Sequence, residues 1–154
     1  ENTGMYLEYS GFKNLDILAG INKKIGKKEI IESLERVGLD PRDKRAVRKY
    51  SLGMKQRLAI AQAIMEKPKV IMLDEPLNGV DIVAREQVIN AVISKASPDK
   101  IIIMSSHLVD ELEAVIDYAV FIKDGVIVSQ GDAENLRTAS GMSIVDQYKR
   151  IYAY

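Results

Sequence analysis

Cysteine is absent from this 154-residue chain, and histidine occurs once. The first absence excludes a disulfide framework and is compatible with a reducing compartment. Both together leave no basis for a zinc site. Any excess of charge is missing too: 22 Lys and Arg balance 22 Asp and Glu, so no global basic field points to nucleic acid or to an anionic membrane. No apolar run approaches the roughly 20 residues needed to span a bilayer; the longest, such as "IIIM" at 101–104, fit buried strands. The opening "ENTGMYLEYSG" has neither the charged start nor the apolar block of a signal peptide. It begins with Glu rather than Met, and the chain reads as a piece of something larger. Repeats and low-complexity segments are also lacking. What is present is a 47% hydrophobic fraction, enough for a chain of this length to fold around a core.

Residues 1–12 read as irregular and 13–49 as helical and polar. In "KKEIIESLERVGLD", Ile30, Ile31, Leu34 and Val37 recur at helical spacing, Gly38 is a stop, and Pro41 rules out continuation. Ser51 can cap a helix running to about Glu66, apolar on nearly all sides from Leu58 to Met65 and hence buried. "KVIMLDEP" reads as a buried parallel strand closed by Pro76. "VAREQVINAVISKA" reads as a helix with Val88, Ile89, Val92 and Ile93 on one face, and "KIIIMSS" as a second buried strand. "LVDELEAVID" is expected to be a helix with Leu108, Leu112, Val115 and Ile116 inward. "YAVFIKDGVIVSQG" reads as a hairpin turning at Asp124-Gly125, and 132–154 as a short helix, a loop and an amphipathic tail. The middle of this order is strand–helix–strand, which implies parallel strands and a right-handed crossover in an α/β fold.

Chemistry concentrates at the ends of these elements. The first strand delivers Asp74 and Glu75 to its carboxyl end, where open α/β sheets place ligands. Adjacent strand residues face opposite ways, so the two acids can do different work. Asp74 can hold Mg²⁺ through water, and Glu75 can orient and deprotonate an attacking water. A plainer alternative is that they mark a strand exit and cap the next turn. In "YSLGMKQR", Ser51 and Gly53 stand at a helix start, where free backbone N–H groups and the helix dipole favour an anion. Gly53 lets a phosphate approach closely, and Lys55 and Arg57 add positive charge; an ordinary capped helix with a basic first turn would look the same. His107 follows the second strand, at the same sheet edge as the acids, and a neutral imidazole there can hydrogen-bond a phosphate; a lone His is also commonly structural. Ser106 can cap the helix after it. In "LNGVD", Gly79 suggests a tight turn and Asp81 a helix cap.

In combination and in order, these stretches resemble the ATP-binding subunit of ABC transporters. "YSLGMKQR" resembles the family's signature loop, usually Leu-Ser-Gly-Gly-Gln-x-Gln-Arg; "VIMLDEP" its Walker B strand; "LNGVD" its D-loop; and "SSH" its H-loop. "YLEYSGFKNLDILAG" resembles the opening of its helical subdomain, and Glu1 would stand near the Q-loop glutamine, a metal-side position. The resemblance covers nearly the whole chain. It implies an incomplete P-loop NTPase fold of the ABC ATPase type: a parallel sheet core, a helical subdomain and a C-terminal β-hairpin. The implied division is 1–50 for the Q-loop end and helical subdomain, 51–131 for the α/β core and 132–154 for a tail. It further implies ATP and Mg²⁺ as cofactors, Glu75 and His107 as catalytic, Asp74 on the metal, and Ser51, Gly53, Lys55, Gln56 and Asp81 around nucleotide. The implied partners are a second copy and a separate membrane permease, at the inner face of the cell membrane. Leu52 and Met54 depart from the usual Gly and Gln, which puts one polar nucleotide contact in doubt. Such variation is similar to the drug- and peptide-antibiotic exporter branch, including bacitracin and lantibiotic self-protection systems.

The family's P-loop, Gly-x-x-x-x-Gly-Lys-[Ser/Thr], has no counterpart in these residues. "GINKKIGKK" at 20–28 has the wrong spacing and follows helical sequence, so it reads as a solvated basic loop. The P-loop backbone and Lys supply most of the grip on the β- and γ-phosphates, so the chain alone is expected to be inactive. Its apolar sheet edge is expected to be uncovered. Competing expectations are a soluble ABC-type ATPase acting on DNA or ribosomes, and an interaction module working through 13–49.

Overall fold

The computed structural model describes residues 4–21, 25–94 and 99–153. They form two compact units, one ending at Ser106 and the other beginning at His107.

The first unit is built on helices. Helix α1 (Gly11–Ala19) starts where the Ser10 hydroxyl accepts the N–H of Lys13 at 3.2 Å. Before it, residues 6–10 are tied down by Asn14, which is buried and accepts the N–H of Tyr6 at 2.7 Å while donating to the carbonyls of Tyr6 and Ser10 at 3.0 Å. Helix α2 (Lys27–Arg36) ends as the sequence suggests. Gly38 turns left-handed (φ +69°), its N–H bonds the Glu35 carbonyl, and the Leu39 N–H reaches back to the Leu34 carbonyl at 2.9 Å, closing the last turn. Ile30, Leu34 and Val37 are buried, but Ile31 is exposed. Residues 13–49 are therefore only partly helical. Asp40 and Asp43 accept the N–H groups of Arg42 and Arg45, making turns, and one 3₁₀ turn spans Val47–Lys49.

Helix α3 (Leu52–Met65) packs against α2 and buries Leu58, Ile60, Ala61, Ile64 and Met65. Each of the Leu, Ile and Met side chains removed from water contributes roughly 1.5–3 kcal/mol before entropy is counted. Strand β1 (Val70–Asp74) follows, then α4 (Ile82–Ile93), which buries Val88, Ile89 and Val92, and then β2 (Ile101–Ser105). β1 and β2 pair in parallel, with Val70 opposite Ile101, Met72 opposite Ile103 and Asp74 opposite Ser105.

The expectation that both strands are buried is corrected here. Ile71 is covered, but on the other face Met72 is 74% exposed, and Val70, Ile101 and Ile103 are each about half exposed. Alternating side chains face opposite sides of a strand, and among the described residues only one side of this pair is covered. The sequence is apolar for both faces.

In the second unit, β3 (Tyr118–Lys123) and β4 (Val126–Asp132) form the expected antiparallel hairpin. Asp124 and Gly125 both have positive φ (+51° and +78°), the pattern of a tight turn whose twist matches the strands. Asp132 caps α5 (Ala133–Ser140), Gly141 ends it left-handed, and Ser143 caps α6 (Ile144–Tyr152). Phe121, Ala133 and Ile144 form the small core.

The expected helix over 108–117 is not formed. A single 3₁₀ turn covers Val109–Glu111, with Leu108 rather than Ser106 at its cap position. The Glu113 carbonyl, which a continuing helix would need for the N–H four residues on, instead accepts the Arg137 guanidinium. Leu112 is buried, whereas Val115 is exposed.

Candidate functional site

The site lies where β1 and β2 end side by side. Parallel register sets Asp74 opposite Ser105, so the acid and the hydroxyl reach the carboxyl edge together. The Ser105 hydroxyl donates to Asp74 Oδ1 at 2.5 Å. The Glu75 N–H reaches back across the pair to the Ser105 carbonyl at 3.1 Å and to the Ser105 hydroxyl at 3.0 Å. Glu75 itself sits at φ +46°. That region costs a non-glycine residue roughly 1–2 kcal/mol, and the surroundings hold it there. Pro76 and Leu77 are buried just beyond, and Gly79 turns left-handed at φ +71°. The Asp81 carboxylate then accepts the N–H of Ala84 at 3.0 Å and opens α4. The capping alternative for Asp81 is thus what this structure displays.

The start of α3 is packed onto this same turn. The Ser51 hydroxyl accepts the N–H of Met54 at 3.2 Å, satisfying one of the helix's open donors. Gly53 is buried, and a Cβ placed on it would lie 2.7 Å from the Gly79 carbonyl oxygen and 3.3 Å from the Val80 Cα. A side chain at 53 is therefore excluded by backbone, quite apart from any phosphate. Leu52, exposed at 66%, lies over Gly79, whose own added Cβ would come within 2.6 Å of it. Gln56 donates to the Glu75 carbonyl at 3.3 Å, a long bond that ties the helix to the acidic turn. Lys55 is half-buried.

Arg57 points elsewhere: it donates to the Val37 and Gly38 carbonyls at 3.3 and 3.0 Å, so its charge serves the end of α2. His107 is exposed and opens the second unit, two positions after Ser105. Glu1 lies outside the described residues. Sequence reasoning passed over Ser105. Its signal was the first Ser of "SSH", but the contact with Asp74 becomes legible only once the strand register is known.

Among the described residues, no group of three or more His, Asp or Glu is arranged to hold a metal alone. The donors at the strand ends are hard oxygens, carboxylate and hydroxyl. That set fits Mg²⁺, which keeps most of its water and takes one or two carboxylates together with substrate phosphate. It does not fit a dedicated protein cage.

The family described as ABC transporter matches residues 2–78. The chain is 37% identical over 138 residues to the bacitracin transport ATP-binding protein of Enterococcus faecalis, covering 88% of this chain and 44% of that protein. It is 33% identical over 153 residues to the lantibiotic transport ATP-binding protein of Streptococcus pyogenes, covering 97% of this chain and 66% of that protein. It therefore spans about half to two thirds of the length of these relatives. Among solved structures, an ATP-binding subunit of an ABC transporter superposes with TM-score 0.78 at 22% identity, over 96% of this chain and 63% of that one. A dimeric, post-hydrolysis ATP-binding cassette bound to ADP and Pi superposes with TM-score 0.74 at 18% identity, over 86% and 60%. At such identities the likeness is one of fold, and it bears out the α/β class expected from the sequence.

Proposed function

This chain belongs to the ABC transporter family, and from that premise we propose that the protein carrying it is the ATP-hydrolysing motor of a transporter, with a separate membrane permease as partner. One observation carries the reading. The end of β1 presents Asp74 and Glu75 together, backed by the start of α3 through Gln56 and Gly53. In this reading Glu75 orients and deprotonates the attacking water, and its backbone, held at positive φ, sets the direction of its carboxylate. Asp74 holds the hydrated cation. Mg²⁺, when bound, neutralises charge developing on the transferred phosphate. His107 contacts the terminal phosphate. Ser51, Gly53, Lys55 and Gln56 face nucleotide held by a second copy, with Asp81 nearby in the turn between them.

Residues 1–50 then serve as the Q-loop end and helical subdomain, 51–131 as the core and 132–154 as a tail. The location is the cytoplasmic face of the cell membrane, and the cargo is a peptide antibiotic, by likeness to the named relatives. Nucleic acid is not favoured, because the chain carries no net charge. Residues 1–154 contain no Gly-x-x-x-x-Gly-Lys-[Ser/Thr] stretch, so by themselves they should hydrolyse no ATP. Isothermal titration at micromolar ATP tests this: a binding heat there would overturn it.

The main test is Glu75→Gln in the full-length protein. Turnover should stop while ATP-bound dimers accumulate on size exclusion. Undiminished turnover would remove Glu75 as the base and, with it, this account of the site.

A further inference from the structure

We propose that Ser105 is a positioning residue for the acidic pair, an inference that rests on the ATPase reading above. A hydroxyl offers one donor and two acceptor sites, and Ser105 uses both kinds at once. It donates to Asp74 Oδ1 and accepts the Glu75 N–H. Asp74 is exposed, and its carboxylate would otherwise be free to rotate in water. The bond from Ser105 fixes that carboxylate by one oxygen, Oδ1. The second bond works on the neighbour. The Glu75 N–H is the first donor past the end of β1, and it is shared between the carbonyl and the hydroxyl of one residue. That sharing anchors the peptide at the point where the chain enters positive φ. One side chain on β2 therefore sets the aim of both acids on β1, through the register that puts Asp74 and Ser105 opposite each other.

Alanine at 105 keeps the strand and its carbonyl but removes both hydroxyl bonds. Threonine keeps the hydroxyl and suits a strand. Ser105 touches no reacting atom in this reading, so its loss should act on cation affinity and turnover rather than on nucleotide affinity.

The experiment compares wild type, Ser105→Ala and Ser105→Thr in the full-length protein. One readout is steady-state ATPase activity. The other is Mn²⁺ affinity, by electron paramagnetic resonance, in the complex with a non-hydrolysable ATP analogue. Partners that orient a metal-side carboxylate are worth about tenfold or more when removed. Ser105→Ala should thus lose about tenfold in kcat and several-fold in Mn²⁺ affinity, with analogue affinity changed by less than about twofold. Ser105→Thr should recover most of both. An active wild type with Ser105→Ala equal to it in both readouts overturns the role of Ser105 and leaves the ATPase reading standing. So does a Ser105→Thr variant as impaired as Ser105→Ala, since the hydroxyl would then not be the group that matters. A full-length wild type with no ATPase activity overturns the ATPase reading and this inference together.

Discussion

Replacing Glu113 by alanine should release helix α6 from the second unit. The Glu113 carboxylate accepts the Val145 N–H at 2.8 Å, the Arg137 Nε at 2.9 Å and the Ile144 N–H at 3.3 Å. It thus pairs a cation and satisfies open donors at the start of α6. Both partners of the ion pair keep somewhat under a third of their side-chain surface exposed, so water replaces part of what is lost. Counting one strong charge-assisted bond in full, together with the helix-dipole contribution, gives a cost of about 2 kcal/mol. Glu113→Gln, which keeps an acceptor oxygen but not the charge, should cost about half of that. Native-state hydrogen exchange at Val145 reads this locally: about 2 kcal/mol corresponds to roughly thirtyfold faster opening. The carboxyl also titrates in a particular direction. Burial disfavours its charge but is outweighed by the Val145 N–H, the Arg137 guanidinium and the Ile144 N–H, so its pKa is held below the ordinary glutamate value. A carboxyl with a depressed folded pKa adds stability that is present above its unfolded value, about 4.3, and is lost as pH falls through the folded one. Stability of the second unit should therefore decline on acidification below about pH 4.3, and the Glu113→Gln variant should show a flatter slope there. Val145 protection in Glu113→Ala within twofold of wild type would refute the reasoning.

Other positions give sharp expectations. Asn14→Ala, at a side chain only 3% exposed, strands the backbone groups of Tyr6 that it now satisfies; urea denaturation should show a loss of about 2–3 kcal/mol, and limited proteolysis should cut first within 6–10. Gly53→Ala gains about 1 kcal/mol of helix propensity but drives its Cβ into the Gly79 carbonyl, so the net change should be destabilising by about 1–2 kcal/mol. A stabilised Gly53→Ala variant would show that the turn yields. Asp81→Ala removes the cap of α4, the acceptor of the Ala84 N–H, and should cost about 1 kcal/mol by thermal melting.

What could be read in advance was local. The Ser51 cap, the Gly38 stop and the Asp124-Gly125 turn follow from short stretches whose backbone requirements are written in their own residues, and the parallel pairing of β1 with β2 follows from the strand–helix–strand order. The failures share a cause, because each depends on a partner distant in sequence. Residues 108–117 have helical periodicity, but Glu113 is claimed by Arg137 and by α6, more than twenty positions away. Apolar patterning shows that both faces of β1 need cover, not which segment supplies it, and Val70 and Met72 stay exposed among the described residues. Basic residues at a helix start look alike in sequence, yet Lys55 stays near that start while Arg57 is spent on the carbonyls that end α2. The contact of Ser105 with Asp74 requires the register itself.

The start of α3 and the acidic turn, which the proposed function sets against the nucleotides of different copies, are joined within one copy. Gln56 of the signature helix holds the Glu75 carbonyl, and Gly53 rests on the backbone of Gly79 and Val80, in the turn between Glu75 and α4. A displacement of the helix start toward the turn would be passed on to the Gly79 and Val80 backbone, because close-packed contacts transmit motion rather than absorb it. The turn carrying Glu75 would have to follow. If a second copy's nucleotide pulls on Ser51 and Gly53, as the proposed function requires, the same copy's own catalytic carboxylate feels that pull through covalent and packing contacts alone. Leu52, standing where the family usually has glycine and lying over Gly79, adds side-chain contact to this joint. That substitution therefore bears on the mechanical link between the two stretches, a role separate from any contact to nucleotide.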